Sequence, residues 1–158
     1  MNVAEIPLLT RREIEASIVA PIAKALISEL GRETALALVR DVVQGISQDQ
    51  GAALAQFAGA NTLDRFSAAI DLWKQGGALE LDMVEQSPER LSFNVTRCKY
   101  AEMYHNMGIA DLGLVLSCSR DSALVHGFNP EVVLTRTQTI MEGADYCDFR
   151  FSLSDRNA

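Results

Sequence analysis

The chain has 158 residues, with 14 Lys and Arg against 21 Asp and Glu, so its formal net charge is −7. This length is typical of one domain with a core of its own, and an apolar share of 48% excludes a disordered chain. Because the chain is acidic, it has no electrostatic attraction to nucleic acid or to an anionic membrane, and we expect neither as a partner.

The first half of the chain predicts helices. Ile14, Ile18 and Ile22 recur on one face of a first helix, which Gly31 would end. A second helix carries a wide apolar stripe, and Asn61 would cap a third helix. The apolar stripe on the second helix, the widest in the chain, consists of Ala35, Leu38, Val39, Val42, Val43 and Ile46.

The second half changes to a period of two residues, which is typical of strands. Turns at 86–89 and 142–145 join the first two segments and the last two, and an antiparallel sheet is expected. The expected strands are 79–84, 91–96, 132–141 and 146–153, and the expected helices between them are 98–107 and 110–126.

These patterns predict an α+β fold in a single domain over 1–158. A mainly helical N-terminal part, 11–76, would pack on an antiparallel sheet of about four strands. The strands and two further helices belong to the second part, 78–153. The apolar stripes of the N-terminal helices would also permit a homo-oligomer.

Cysteine usage and the N-terminal sequence indicate the compartment. The start of the chain lacks the residue order of a signal peptide, since Glu5 comes early and Arg11 and Arg12 follow the short apolar stretch. The sequence has no run of about 18 uncharged apolar residues that could span a bilayer. Three cysteines are an odd number, which favours free thiols in a reducing compartment. We therefore expect a cytoplasmic protein.

The helix predicted after residue 97 carries a candidate nucleophile. At about 100° per residue, Cys98, Glu102 and His105 share one side of this helix. With Thr96 as the N-cap, Cys98 would lie in the first turn, where unpaired backbone N–H groups favour a thiolate. The basic residues on either side of Cys98 would lower its pKa further. The alternative is that Glu102 and His105 only face solvent and that Cys98 is a small residue at a strand-to-helix junction.

The other two cysteines have different surroundings. Cys118 and Asp121 lie one turn apart in the next helix, and a buried Asp beside a thiol needs a partner such as Arg120, Arg136 or a ligand. If the helix exposes Asp121, the pair is ordinary. Cys147 alternates with apolar residues in the last strand, which favours a core thiol.

A metal site finds little support in the spacing. The cysteines are 20 and 29 residues apart, with no close pair, whereas structural zinc sites use closely spaced ligand pairs. A site formed in three dimensions by the three cysteines and a carboxylate stays open as an alternative. The sequence also has no glycine-rich phosphate loop and no G-x-S-x-G elbow.

Five blocks of the second half stand in a specific order. They are FNVTRCKYAE (93–102), LSCSRD (116–121), GFNP (127–130), LTRTQTIMEG (134–143) and CDFR (147–150). Together with the RREIEA opening at 11–16, these blocks resemble the L-2-amino-thiazoline-4-carboxylic acid hydrolase family. The resemblance implies hydrolysis of a cyclic amidine, the thiazoline ring, to an S- or N-carbamoyl amino acid. It does not identify which cysteine attacks.

The resemblance and the local chemistry together assign candidate roles. Cys98 is the first candidate for the nucleophile and Cys118 the second, while Glu102 and Asp121 are candidates for the amidinium clamp and the acid/base. Alternatively, a carboxylate activates water directly. Candidate substrate contacts are Arg97, Arg136 and Arg150, which would bind a substrate carboxylate, with Tyr100, Asn129 and Cys147.

Two other classes of function remain open on the sequence. For the hydrolase, the expected partner is a small-molecule substrate, with no metal and no cofactor.

A non-enzymatic module that binds a small molecule or a metal through the three cysteines is the principal alternative to the hydrolase. A subunit that contributes a helical surface to an assembly is the other.

Overall fold

The computed structural model describes residues 5–154. Its main helices are α1 (Leu8–Leu30), α2 (Arg32–Ala58), α3 (Leu63–Lys74), α4 (Lys99–Asn106), α5 (Ala110–Gly113) and α6 (Arg120–Phe128). Its strands are β1 (Leu79–Gln86), β2 (Arg90–Cys98), β3 (Val132–Thr135) and β4 (Cys147–Leu153). A π-helical turn, Leu114–Cys118, joins α5 to α6, and a 3₁₀ turn, Ile140–Glu142, precedes β4. The α+β prediction is confirmed.

The strands form one sheet in the order β1-β2-β4-β3, and every neighbouring pair is antiparallel. Alternation sets the register, because Leu91, Phe93 and Val95 all point to the buried side of β2. Phe93 lies opposite Phe149 on β4, and Val95 lies opposite Cys147. The sheet therefore carries Cys147 into the core.

Two apolar cores meet near the end of β2. One core fills the space between the sheet, α3 and α6, and includes Phe66, Phe151 and Cys147. The other lies among α1, α2 and α4, and includes Tyr104. Cys98 packs against both cores, so it lies where the helical layer and the sheet layer join.

Helices α2 and α6 approach closely at two glycines. A Cβ atom on Gly51 would lie 2.0 Å from the carbonyl oxygen of Leu124, and one on Gly127 would lie 2.0 Å from that of Gln48. Each distance is a severe overlap, so only a residue without a side chain fits at either position. This contact fixes α6, which carries Asp121, against α2.

The apolar stripes of α1 and α2 enter the core only in part. Ile14, Ile18 and Ile22 are 51%, 60% and 53% exposed, while the buried face of α1 consists of Arg12, Ala16, Ala20 and Ala23. Small side chains let α1 lie close against its neighbours, and large aliphatic ones would hold it away. On α2, likewise, Ala35 and Val43 are buried, whereas Leu38, Val42 and Ile46 are exposed.

Three predicted boundaries also differ from the structure. Thr62, rather than Asn61, caps α3, since its hydroxyl accepts a hydrogen bond from the amide of Arg65. The helix predicted over 110–126 contains the π-helical turn. The strand predicted over 132–141 ends at Thr135, because the following backbone bonds to the Asp148 carboxylate instead of extending the sheet.

No helix in residues 5–154 has both the length and the apolar character needed to cross a bilayer.

Candidate active site

A cavity of about 300 Å³ lies at the junction of the two cores. Its wall is mostly apolar, and side chains of all three cysteines line it. The polar residues of the wall come from α1, α2, α4, the π-helical turn, α6 and the segment after β3. They are Arg11, Arg12, Ser47, Gln50, Tyr100, Ser117, Arg120, Asp121 and Arg136.

Cys98 is the N-cap of α4. Its sulfur accepts a hydrogen bond from the amide of Ala101 at 3.4 Å, whereas the hydroxyl of Thr96, the expected cap, donates to the carbonyl of Glu80. Burial raises the pKa of Cys98 to about 11, and the hydrogen bond from Ala101 opposes this rise. The prediction of a lowered pKa was therefore wrong. The resting form of Cys98 at neutral pH is the thiol.

The two residues expected to lower the pKa of Cys98 are engaged elsewhere. Arg97 forms ion pairs with Glu80 and Glu102, and Lys99 donates to the carbonyl of Gly76. Their charges are thus compensated or directed away from the sulfur.

Cys118 and Cys147 also have raised pKa values, in both cases mainly because of burial. The negative charge of Asp121 raises the pKa of Cys118 further. The sulfur of Cys147 accepts a hydrogen bond from the amide of Ile140 at 3.2 Å, which acts in the opposite direction. Cys98 differs from these two cysteines because it lies at the N-terminus of a helix, as the N-cap of α4.

Asp121 and Arg136 form an ion pair in the wall, with Oδ2 and Nη1 separated by 2.6 Å. Nη2 of Arg136 donates to the carbonyl of Cys118 at 3.0 Å, and its guanidinium stacks over the ring of Phe149, 4.9 Å from the centroid. Burial raises the pKa of Asp121, and the charge of Arg136 opposes this rise. Burial acts to lower the pKa of Arg136, but Asp121 raises it above its ordinary value.

Glu102 and Arg97 lie outside this cavity, on the opposite side of Cys98. Both side chains are about half exposed and bond to each other at 2.8 Å. Together with His105 and one side of Cys98, they line a shallow surface depression. The hydrogen bond from Arg97 lowers the pKa of Glu102, so this carboxylate stays ionised at neutral pH.

The structure places the remaining candidates in different positions. Arg150 donates to the carbonyl of Phe93 and to the side-chain oxygen of Asn94, and it does not line the cavity. Asn129 is buried and holds the α6–β3 connection through the carbonyl of Asn61 and the amide of Glu131. Tyr100 does line the cavity.

Arg11, Arg12 and Trp73 also line the wall, although the sequence patterns did not single them out as site residues. Arg120, expected only as a possible partner of Asp121, lines it too. A signal for Arg12 was present, because it stands at i, i+4 spacing from Ala16 and Ala20 on the alanine face of α1. The isoleucines, which recur at the same spacing on another face of α1, are the more conspicuous pattern.

The residues that line the cavity can hold and polarise a small molecule. Together they offer thiols, a carboxylate with a raised pKa, guanidinium groups and an apolar wall in one cavity. Within residues 5–154, no three His, Cys, Asp or Glu side chains are arranged to hold a metal ion.

Comparison with known proteins gives a family and several likenesses of fold. The family model of L-2-amino-thiazoline-4-carboxylic acid hydrolase matches residues 11–151. None of the curated protein sequences compared with the chain matches it.

Two of the matching solved structures show the kind of likeness, which is one of fold alone. One is the phenol-responsive sensory domain of the transcription activator PoxR with phenol, at 11% identity and a TM-score of 0.57, covering 85% of this chain and 72% of that one. The other is a trafficking protein particle complex subunit 3 from Naegleria fowleri covalently bound to palmitic acid. It is 11% identical, with a TM-score of 0.56, and covers 92% of this chain and 96% of that one.

Proposed function

We propose that this chain, which belongs to the L-2-amino-thiazoline-4-carboxylic acid hydrolase family, opens a small cyclic amidine of that type. The family name indicates a hydrolase. The observation that carries the finer proposal is the single cavity that the three thiols share with the Asp121–Arg136 ion pair. An electrophilic ring carbon bound there would have a nucleophile and a proton carrier within one cavity.

Asp121 would orient the substrate. A protonated amidine and a carboxylate form a charge-assisted pair. The charge of Arg136 opposes the rise in the pKa of Asp121 that burial causes, and so favours the carboxylate form. A bound amidinium keeps the ring carbon C2 electron-poor. Asp121 is thus the proposed clamp and acid/base, and Glu102, on the outer surface, is not.

Cys98 is the proposed nucleophile. Because the pKa of Cys98 is about 11, its sulfur attacks only when a base takes the proton. Asp121 accepts that proton, sulfur adds to C2, and the proton passes to the ring sulfur as the C2–S bond breaks. Water then adds to C2, the C2–S bond to Cys98 breaks, and the carbamoyl amino acid leaves with the thiol restored.

A direct attack by water is the mechanistic alternative. Asp121 would then remove a proton from water instead of from Cys98, and no covalent bond to the protein would form. The product is the same, so only a trapped adduct or a cysteine variant separates the two routes.

The test uses 2-amino-thiazoline-4-carboxylate and follows carbamoyl-cysteine by mass spectrometry. We expect turnover by the wild type, none by Cys98→Ala, and substrate binding by both. Full activity of Cys98→Ala would exclude covalent catalysis at this residue and favour direct attack by water. Absence of product from the wild type across a panel of cyclic amidines and imides would contradict the hydrolase proposal.

A binding module without chemistry is the second candidate, and the raised pKa values of all three thiols favour it. A mostly apolar cavity can hold a small molecule with no bond made or broken. The sensory domain with a similar fold was solved with phenol. Tight binding of a small ligand with no product would support this candidate, and stoichiometric metal in the purified protein would support its metal-binding form.

A further inference from the structure

Three arginines contribute to the wall of the cavity in addition to Arg136. Arg11 and Arg12 come from α1, and Arg120 comes from the start of α6, 108 positions later than Arg12. The side chains of Arg12 and Arg120 are only 10% and 12% exposed. Such a concentration of buried positive charge is unusual in a chain with a net charge of −7.

One carboxylate bonds to two of these guanidinium groups. Nη1 of Arg12 lies 2.8 Å from Glu15, and Nη2 of Arg120 lies 3.1 Å from the same carboxylate. Nε of Arg120 donates to the carbonyl of Leu116 at 2.8 Å. Three guanidinium groups and one carboxylate leave an excess of positive charge beside the cavity.

Two N–H donors of this group are buried without an acceptor. Nε of Arg11 and Nη1 of Arg120 have no hydrogen-bond partner among the described residues. Leaving a buried charged donor unsatisfied costs about 1–3 kcal/mol or more. A bound anion supplies the acceptors that the protein does not.

We propose that Arg11, Arg12 and Arg120 form the subsite for the carboxylate of an acid whose apolar body fills the rest of the cavity. Guanidinium groups bind carboxylates through paired N–H donors, and burial strengthens this interaction. The proposal deepens the hydrolase function, on which it rests for the use of this cavity as a substrate site. It replaces Arg97, Arg136 and Arg150 in that role.

The size of the cavity limits how large the apolar body of the bound acid can be. An apolar cavity of about 150 Å³ is enough for benzene, and this one is about 300 Å³. It therefore holds more than a five-membered ring with one carboxylate. The apolar body would contact Leu54, Leu72, Trp73, Leu124, Met141 and Phe149.

The arrangement also separates the two charges of a zwitterionic substrate. Arg136 is already paired with Asp121, so it has less capacity for a second carboxylate. The charges of Arg12 and Arg120 oppose the rise in the pKa of Asp121, so the arginines lie within electrostatic reach of that carboxylate. A substrate can then place its carboxylate at the arginines and its amidinium at Asp121.

Calorimetric titration of the full chain with hexanoate tests the subsite, using acetate, 1-hexanol and hexylamine as matched ligands. We expect hexanoate to bind at least tenfold more tightly than each of the three, because only hexanoate combines an anion with an apolar chain. Equal binding of hexanoate and 1-hexanol would overturn the proposal. Hexanoate is not hydrolysed, so failure here is distinguishable from absence of ring-opening activity.

Variants assign the effect to the arginines. Arg12→Gln and Arg120→Gln should each weaken hexanoate binding at least tenfold and leave 1-hexanol unchanged, while Arg32→Gln, an exposed residue paired with Asp111, should change neither. Glu15→Gln removes the internal competitor and should tighten hexanoate binding severalfold, which no general loss of folding could produce. Unchanged hexanoate affinity in Glu15→Gln and in the arginine variants would overturn the assignment.

Discussion

The carboxylate of Asp121 and the guanidinium of Arg136 bond at 2.6 Å in the wall of a cavity that also contains three thiols. Arg136 further donates to the carbonyl of Cys118. This ion pair joins α6 to the segment after β3, so it links the helical layer to the sheet and sets the charge that faces a ligand.

Loss of Arg136 should destabilise the fold because it leaves Asp121 buried without a counter-charge. We expect Arg136→Gln to lower the free energy of unfolding by about 3 kcal/mol at pH 8. The deficit should shrink at pH 5. Burial raises the pKa of Asp121 in the folded state, so the folded protein binds the proton more tightly than the unfolded chain, and protonation removes the unpaired buried charge. Urea unfolding at both pH values measures this, and Arg136→Gln combined with Asp121→Asn should recover part of the loss. A deficit independent of pH would contradict the prediction.

The pKa of Cys98 predicts slow and strongly pH-dependent alkylation. Because this pKa is about 11, against 9.0 for an unperturbed thiol, the thiolate fraction should rise tenfold per pH unit from pH 8 to pH 10. Peptide mass spectrometry after timed exposure to iodoacetamide follows this residue alone. A rate that levels off below pH 9 would show that the thiol is activated instead.

The same pKa has a consequence for stability. A thiol whose folded-state pKa lies above its unfolded value stabilises the fold below about pH 9, and this contribution is lost as the pH rises toward about 11. Cys98→Ala should therefore show a smaller decline in the free energy of unfolding over that range than the wild type. Urea titrations at several pH values would measure it, and parallel declines would contradict the assignment.

The contact between α2 and α6 offers a matched pair of glycines. Gly51→Ala places a methyl group against the carbonyl of Leu124, so it should lower the free energy of unfolding by about 1–3 kcal/mol. Gly45→Ala lies in the same helix with open space around it, and it should raise the free energy of unfolding by about 0.4–1 kcal/mol. Chemical denaturation measures both. Similar changes in the two variants would mean that helix propensity, and not packing, determines the effect.

The order of the elements follows from the sequence because alternation is a local signal. Leu91, Phe93 and Val95 are buried as the period of two predicts, and the strand fixes their direction whatever lies above the sheet. The sequence determines less strictly which face of a helix is buried. On α1 both the isoleucines and the alanines recur at helical spacing, and only the close approach of neighbouring helices selects the alanines.

The candidate site, too, could be predicted from the sequence only in part. Asp121 was expected to need a partner, and Arg136 is one of those considered. The pKa of Cys98 was misjudged because two effects of opposite sign compete. A helix N-terminus contributes about 1 kcal/mol, whereas a rise from 9.0 to about 11 corresponds to about 3 kcal/mol. Burial, which the sequence does not give, is the larger effect.

The exposed aliphatic side chains of α1 and α2 lead us to expect a dimer with a second copy of the chain. Ile18 and Val42 are 60% and 64% exposed, and each belongs to a stripe of similar residues. Sedimentation velocity should show a dimer for the wild type and a monomer for Ile18→Glu or Val42→Glu. Val84→Glu, an equally exposed aliphatic residue on β1, is the control and should remain dimeric. A monomeric wild type would make this expectation wrong.

Asp121 and Glu102 are the two candidates for the acid/base role. Matched amide variants distinguish between them. Asp121 lines the cavity and has a raised pKa, which suits a group that must exchange a proton. Glu102 is exposed, held by Arg97 and has a lowered pKa, which makes it a weak base. Asp121→Asn should therefore lower kcat for ring opening by about 10²–10⁴-fold, and Glu102→Gln by far less. Cys98 lines both the cavity and the outer depression beside His105. Loss of activity only in Glu102→Gln would therefore indicate that the reaction takes place in the outer depression.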